Sequence, residues 1–306
     1  MAVAQTELVA DLIRTSDPSV EIRVMEVRTT GDRDRRPFAE IGGKGLFVAD
    51  VEEAVRAGEA DLAVHSAKDL TADLADGCAI VCVTHRGPVE DVVVGGSGSD
   101  GHERLASIAA GATVGTSSMR RRALLAEARP DVDVVELRGN LDTRLRKVAD
   151  GVVEAALLAR AGLERLPGGP REGWGSLDPE WWVPAPGQGA LAIEARTDRQ
   201  DVARLVAPLD DRAAHAELAC ERSFARTMEG GCSVPLGCLA RASGETLVVN
   251  GYLGDPEGVM SFRDRISGGV NEAVALGAEL AQAILGGGGE DILAGLRDDL
   301  ILPEPP

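Results

Sequence analysis

Apolar positions along the chain switch repeatedly between helical and strand spacing. Val3, Leu8, Val9, Leu12 and Ile13 recur at helical intervals, with Glu7 and Asp11 on the other side, and predict a helix over 3–14. Residues 20–27 (VEIRVMEV) alternate as a strand does, and a Thr-Thr-Gly-Asp turn follows. A helix over 47–57 follows the glycine-rich run IGGKGLF, and short buried strands are expected at 61–64 and 78–83. In the second of these, Cys78, Ile80 and Cys82 should share one face. A second unit opens with a strand at 91–94, a short helix at 105–109 and a strand ending in the hydroxyls of 113–118. It continues with a helix from Met119, a strand at 132–137, a helix at 141–148 and a strand at 155–158. A Gly/Pro loop then runs to Trp182, and a further strand occupies 191–194. The third unit starts near Asp211 with a helix over 213–227, three strands (238–242, 246–253, 260–266) and a helix over 271–285. Glycines 286–289 break that last helix.

This alternation predicts an α/β fold, and Pro/Gly-rich segments near Arg86-Gly87-Pro88 and Pro184-Ala185-Pro186 read as two crossings between two lobes. An α/β protein that opens with a helix lacks the strand that a βαβ unit would place before it. At 306 residues the chain has room for two or three domains. Aromatic residues make up only 3%, so the cores must be built from Val, Leu, Ile and Ala.

Charge narrows the function. With 32 basic and 50 acidic residues the net charge is −18, which argues against a non-specific nucleic-acid or anionic-membrane binder but leaves room for a locally basic cleft. The five cysteines (Cys78, Cys82, Cys220, Cys232, Cys238) have no C-x-x-C spacing, which suits a reducing cytoplasm. No apolar run is long enough to span a bilayer, so a soluble cytoplasmic protein is expected.

Several stretches carry candidate chemistry. The loop around Lys44 resembles a phosphate cradle but lacks the P-loop spacing; an anion site at a helix start fits better. Ser66, Lys68 and Asp69 follow a strand end, where open α/β sheets bind ligands; Lys68 and Asp69 are either a surface pair or a pair presented to a cleft. Ser118 and Arg120-Arg121-Arg122 converge on a helix start, an arrangement suited to carboxylate or phosphate. Three adjacent arginines cannot all face one way on a helix, so one should face solvent. Cys232 sits in Glu229-Gly230-Gly231-Cys232-Ser233-Val234-Pro235, where it is either a packing residue or an exposed thiol able to act as a nucleophile. Cys78, Cys82 and His85 offer no fourth ligand, and no metal site is expected.

Taken in order, IGGKGLF, VHSAKDL, GTSSMRRRALL, LRGNLDTRL, PAPGQGALAIE and MEGGCSVPLG resemble the porphobilinogen deaminase (hydroxymethylbilane synthase) family, over nearly the whole chain. The resemblance implies two periplasmic-binding-protein-like lobes joined by two crossovers, plus a small C-terminal α+β domain. The implied boundaries are 1–86 with 190–208 for lobe 1, 91–183 for lobe 2 and 211–306 for the third domain. The implied activity is a transferase joining four porphobilinogen molecules head to tail into hydroxymethylbilane, with loss of ammonia, in tetrapyrrole (haem) biosynthesis. The primer is a dipyrromethane cofactor held by a thioether, here at Cys232.

By the same resemblance Asp69 is the catalytic carboxylate, steadying the cation left when ammonia departs. Lys68, Ser118, Arg120, Arg121 and Arg144 would hold the cofactor, and Lys44, Arg138, Arg144, Ser66 and Gln5 the substrate. Each pyrrole ring carries an acetate and a propionate, so forked guanidinium partners make chemical sense. A monomer needing neither metal nor nucleotide is implied, and Gln188 and Gly189 would set lobe geometry. The family begins with a strand and a Thr-Arg-x-Ser-x-Leu-Ala motif that this sequence does not show ahead of its first helix, so a longer natural chain is expected. The alternatives are an inactive shortened relative or a two-lobed carboxylate-binding protein. Thr71, where the family often has proline, should be tolerated.

Overall fold

The computed structural model describes residues 2–27, 29, 48–71, 73–166, 173–229 and 234–300, the last four as backbone only. Helix α1 (Ala2–Ser16) turns Val9, Ala10 and Ile13 inward. It covers one face of an antiparallel sheet ordered β1 (Ala63–Ser66), β8 (Leu191–Arg196), β2 (Cys78–Val83). Helix α2 (Ala49–Arg56) buries Ala54 and Val55. Residues 20–27 do not join this sheet. Their burial alternates as expected through Met25, and Val20 and Ile22 pack on the core beneath α1, yet they form no ladder with another described residue. A strand needs a partner as well as a pattern.

Strand β2 matches its predicted span, but not the predicted facing. A bulge between Ile80 and Cys82 puts Val81 and Cys82 on the α1 side and Ile80 and Val83 on the opposite side. One extra residue reverses the alternation beyond it, so Cys78, Ile80 and Cys82 do not share a face.

The second sheet is ordered β5 (Asp133–Val135), β4 (Thr113–Gly115), β6 (Ala155–Ala159), β3 (Asp91–Gly95), β7 (Trp174–Ser176). Strands β4, β5 and β6 are parallel, joined by crossover helices α4 (Met119–Ala128) and α5 (Leu141–Ala149); β3 runs antiparallel to both neighbours. Helix α3 (Gly101–Ser107) starts four residues before its predicted position because Asp100 caps it, and α6 (Arg160–Glu164) follows β6. Strand β7 falls inside the segment expected to be loop.

The third sheet is an antiparallel meander of β9 (Leu236–Ser243), β10 (Thr246–Gly254) and β11 (Ser261–Gly269). Behind it lie α8 (Arg212–Thr227) and α9 (Ala273–Ile284); α7 (Gln200–Val206), not expected from the sequence, precedes them. A Cβ at Gly277 would collide with the Cys220 carbonyl, so glycine there allows α8 and α9 their close approach. The helix break at Leu285–Gly289 is real, with Gly288 at φ 119°, and α10 (Glu290–Leu300) follows.

The three units share surfaces. Ala214 and Leu218 of α8 pack on Ala67, Val83, Ala190 and Ala192 of the first sheet, and Leu239 and Tyr252 of the third enter the core of the second. Both segments linking the first two sheets are tied together by Gly87 N–H donating to the Gly189 carbonyl at 3.2 Å. Arg86 fastens this junction to α8. Its Nε and Nη2 donate to the Gln188 carbonyl at 3.1 and 3.0 Å, and its Nη1 and Nη2 reach Glu221 at 2.8 and 2.9 Å. Nη1 also donates to Glu217 at 3.0 Å. Among the described residues no helix is long and apolar enough to cross a membrane.

Candidate functional site

The predicted residues gather where the end of β1 meets the start of α4. A short 3-10 turn (Ala67–Asp69) follows β1, leaving Lys68 half-buried and Asp69 exposed. Its backbone is held by Ala67 N–H donating to the Ala190 carbonyl at 3.0 Å. Ser66 Oγ donates to Oε1 of the buried Gln5 at 2.9 Å, which places these two predicted substrate ligands in contact with each other.

From the second lobe, Ser118 is the N-cap of α4, its hydroxyl accepting from Arg121 N–H at 3.4 Å. Arg120 and Arg121 then turn inward while Arg122 faces solvent, as the helical spacing requires. Both inward arginines converge on one carboxylate. Arg120 Nη2 meets Asp91 Oδ2 at 2.8 Å, and Arg121 Nη2 donates to Oδ1 at 2.7 Å. Trp182 Nε1 and Gln188 Nε2 complete the ring of donors at 3.0 and 2.8 Å. The remaining terminal nitrogens donate to carbonyls, Arg120 Nη1 to Val183 at 2.8 Å and Arg121 Nη1 to Leu157 at 3.1 Å. Burial works to raise the Asp91 pKa, but the two guanidiniums and Gln188 outweigh it and hold the group well below the usual carboxylate range.

Arg144, in the first turn of α5, approaches the same region, and Arg138 lies in the β5–α5 loop before it. Asn140 caps α5, Arg144 Nε donates to the Gly139 carbonyl at 2.8 Å, and Arg138 Nε donates to Glu136 at 2.7 Å. Burial and then the Arg121 charge lower the Arg144 pKa, with Asp69 acting in the opposite direction. Burial likewise lowers that of Lys68, which feels Asp69, Arg121, Asp91 and Arg120. These mutual influences place Lys68, Asp69, Arg120, Arg121, Arg144 and Asp91 in one electrostatic neighbourhood. Four cations against two carboxylates leave a surplus of two positive charges within that group.

Lys44 and Cys232 lie outside the described residues. The other four cysteines are free, and burial is the first cause of a raised pKa in each. Cys78 is pushed up to about 11, and Cys82 and Cys220 to about 12. Cys238 is raised well above the ordinary thiol value. His85 pairs with Asp211, and among the described residues no group of three His, Cys, Asp or Glu side chains could hold a metal ion.

Sequence reasoning missed Asp91, which orients both arginines. The available signal was an acidic residue opening an otherwise apolar strand, since a charge buried there demands partners. Gln188 was expected to shape the junction between lobes. It also reaches the arginine cluster, donating to the Val89 carbonyl at 2.6 Å and to Asp91.

Two α/β lobes, a third domain fastened at their junction, and a cluster of cations around strand end and helix start define a two-lobed α/β protein with an appended third domain. The sequence model of the "Porphobilinogen deaminase, dipyromethane cofactor binding domain" matches residues 1–204, and that of the "Porphobilinogen deaminase, C-terminal domain" matches 215–286. A porphobilinogen deaminase of Roseiflexus sp. (strain RS-1) is 43% identical over 298 residues, covering 96% of each chain. One from Syntrophus aciditrophicus (strain SB) is 38% identical over 304 residues, covering 97% of this chain and 96% of its own. The chain belongs to the porphobilinogen deaminase family.

Among solved structures, the periplasmic VFT2 domain of Bordetella pertussis BvgS is similar at 17% identity and a TM-score of 0.36, covering 66% of this chain and 74% of its own. The probable amino-acid ABC transporter extracellular-binding protein ytmK from Bacillus subtilis is similar at 10% and 0.39, covering 67% and 79%. The strand order of the first two sheets defines the two lobes.

Proposed function

We infer that the protein works as its family does, joining four porphobilinogen molecules head to tail into hydroxymethylbilane with release of ammonia. The observation that carries this reading is the surplus of positive charge around Asp69, in a chain whose net charge is −18. Such a cleft concentrates anionic substrate and holds acetate and propionate groups. The residues fit a polycarboxylate cofactor, because Asp91 neutralises only one of the two arginines it orients and Lys68 and Arg144 add further charge.

A bound dipyrromethane supplies the pyrrole terminus on which growth starts. Cys232 tethers it, a role supported by the raised pKa values of the four described thiols. Lys68, Ser118, Arg121 and Arg144 grip its carboxylates. Arg120 and Arg121, each bonded to Asp91 and to a carbonyl (Val183 and Leu157 respectively), also hold the start of α4 in place. Lys44, Arg138, Ser66 and Gln5 are assigned to the incoming substrate, with Ser66 and Gln5 acting as a bonded pair. The exposed Asp69 carboxylate stabilises the cation that forms as ammonia leaves. A cytoplasmic monomer is the accompanying reading, supported by the unpaired cysteines.

Intact mass of the purified protein tests this. The expected result is an addition of two pyrrole rings that Cys232→Ser removes, with Asp69→Glu retaining the addition but turning over slowly. An unmodified wild-type mass, with no colour in Ehrlich's reagent, overturns the reading.

A further inference from the structure

Directly before the site segment, the first lobe buries a pair that the reaction does not use. His65 Nε2 lies 2.8 Å from Glu194 Oε2; Glu194 is fully buried and His65 is 6% exposed. The two stand on adjacent strands, on the sheet face that carries Ala192 and meets α8. We propose that Glu194 and His65 are positioning residues that fix the Ser66–Asp69 segment, and with it the Asp69 carboxylate, for coupling. The proposal rests on the role given to Asp69 above.

Three observations support it. First, among the described residues β1 pairs only with β8, so its last residues have a backbone ladder on one side alone. The exposed Asp69 takes its place from this backbone. Second, stability does not explain the pair. The surrounding face is built of Ala67, Val83, Ala190 and Ala192, and replacing both partners of a buried hydrogen bond with apolar groups of similar shape is often neutral or stabilising. What a carboxylate–imidazole bond adds is direction, because it fixes the rotation of β1 one residue before Ser66. Third, the pair is covered by the helix that leads toward Cys232. Arg222 of α8 lies within electrostatic reach of Glu194 and of the buried Glu52, and Cys78 of β2 faces Glu194 as well. The strand that leads into the Asp69 turn and the helix that precedes Cys232 in the chain therefore meet at Glu194.

The experiment compares turnover per adduct-bearing molecule, counted by intact mass, so that loss of folded protein does not register as loss of rate. His65→Leu/Glu194→Leu should fold as stably as wild type and keep its adduct. It should also lower kcat about 10- to 100-fold with KM little changed, as expected for a reacting group displaced by about 1 Å. His65→Gln and Glu194→Gln each retain a hydrogen bond across the pair and should restore most of the rate. His65→Ala/Glu194→Ala should be no slower than either single alanine variant, because Glu194 acts through His65. Wild-type kcat in the double leucine variant overturns the proposal, as do additive losses in the double alanine variant. Asp69→Glu is run in parallel. If it is slow while the leucine pair is fast, only the positioning role falls; if it turns over normally, the role of Asp69 falls first.

Discussion

Arg121 Nη2 donates to Asp91 Oδ1 at 2.7 Å, and the same carboxylate holds Arg120 through its other oxygen. One buried aspartate thus orients two consecutive arginines whose side chains leave the helix about 100° apart. Asp91→Ala should remove the only carboxylate among the donors and acceptors described for them and leave two buried cations. Breaking a buried pair in this way costs about 3–5 kcal/mol, readable from urea denaturation. The sign with pH follows from the depressed pKa of Asp91. Its contribution is present above the ordinary carboxylate value of 3.8 and is lost only as pH falls well below that range. The loss on mutation should therefore be constant between pH 5 and 8; a loss that fades across that interval would contradict the assignment.

The three neighbouring arginines should behave differently. Arg122 is exposed, and Arg122→Ala should change stability by no more than about 0.5 kcal/mol and leave turnover intact. Arg120→Ala should unfold at markedly lower denaturant. Equal effects at the two positions would mean that the side chains do not point as described.

Lys68 has a lowered pKa, caused first by burial and reinforced by Arg121 and Arg120. Its charge is therefore lost at a pH below the ordinary lysine value of 10.5. The alkaline limb of kcat/KM should consequently begin below that value, and Lys68→Arg should move it upward. A limb unmoved by Lys68→Arg would show that another group titrates there.

Thiol chemistry offers a separate check. Cys78, pushed up to about 11, and Cys82 and Cys220, pushed up to about 12, carry almost no thiolate at neutral pH. Native protein with its adduct in place should resist iodoacetamide at pH 7.5, and Cys232→Ser should resist it equally. Rapid alkylation of Cys78 would contradict the burial described.

Gly187 has φ 75°, and a Cβ there would lie 2.8 Å from the Ala67 carbonyl carbon and 2.9 Å from Lys68 N. Gly187→Ala should therefore displace the Lys68–Asp69 turn as well as strain its own backbone, lowering both Tm and kcat. A Tm loss with unchanged kcat would separate the crossover from the site.

Regular elements with strong periodicity were legible in the sequence: α8, β2 and β6 fall within a residue of expectation. What escaped was decided at a distance. The alternation in 20–27 describes burial without supplying a ladder partner, and β7 is three residues with a central glycine, too short and too plain to stand out from loop. The bulge in β2 leaves no trace in a run that is apolar on both sides. Motifs located the site segments, but the commitment of Arg121 to Asp91 depends on a strand and a helix 30 residues apart, and no local pattern encodes that.

Consider finally Arg86, which bonds the far crossover while Gly87 beside it bonds Gly189. The two connecting chains are thereby joined side by side, and α8 supplies the pin through Glu217 and Glu221. Separating the two connecting chains would therefore cost the charged bonds of Arg86 and the Gly87–Gly189 contact together.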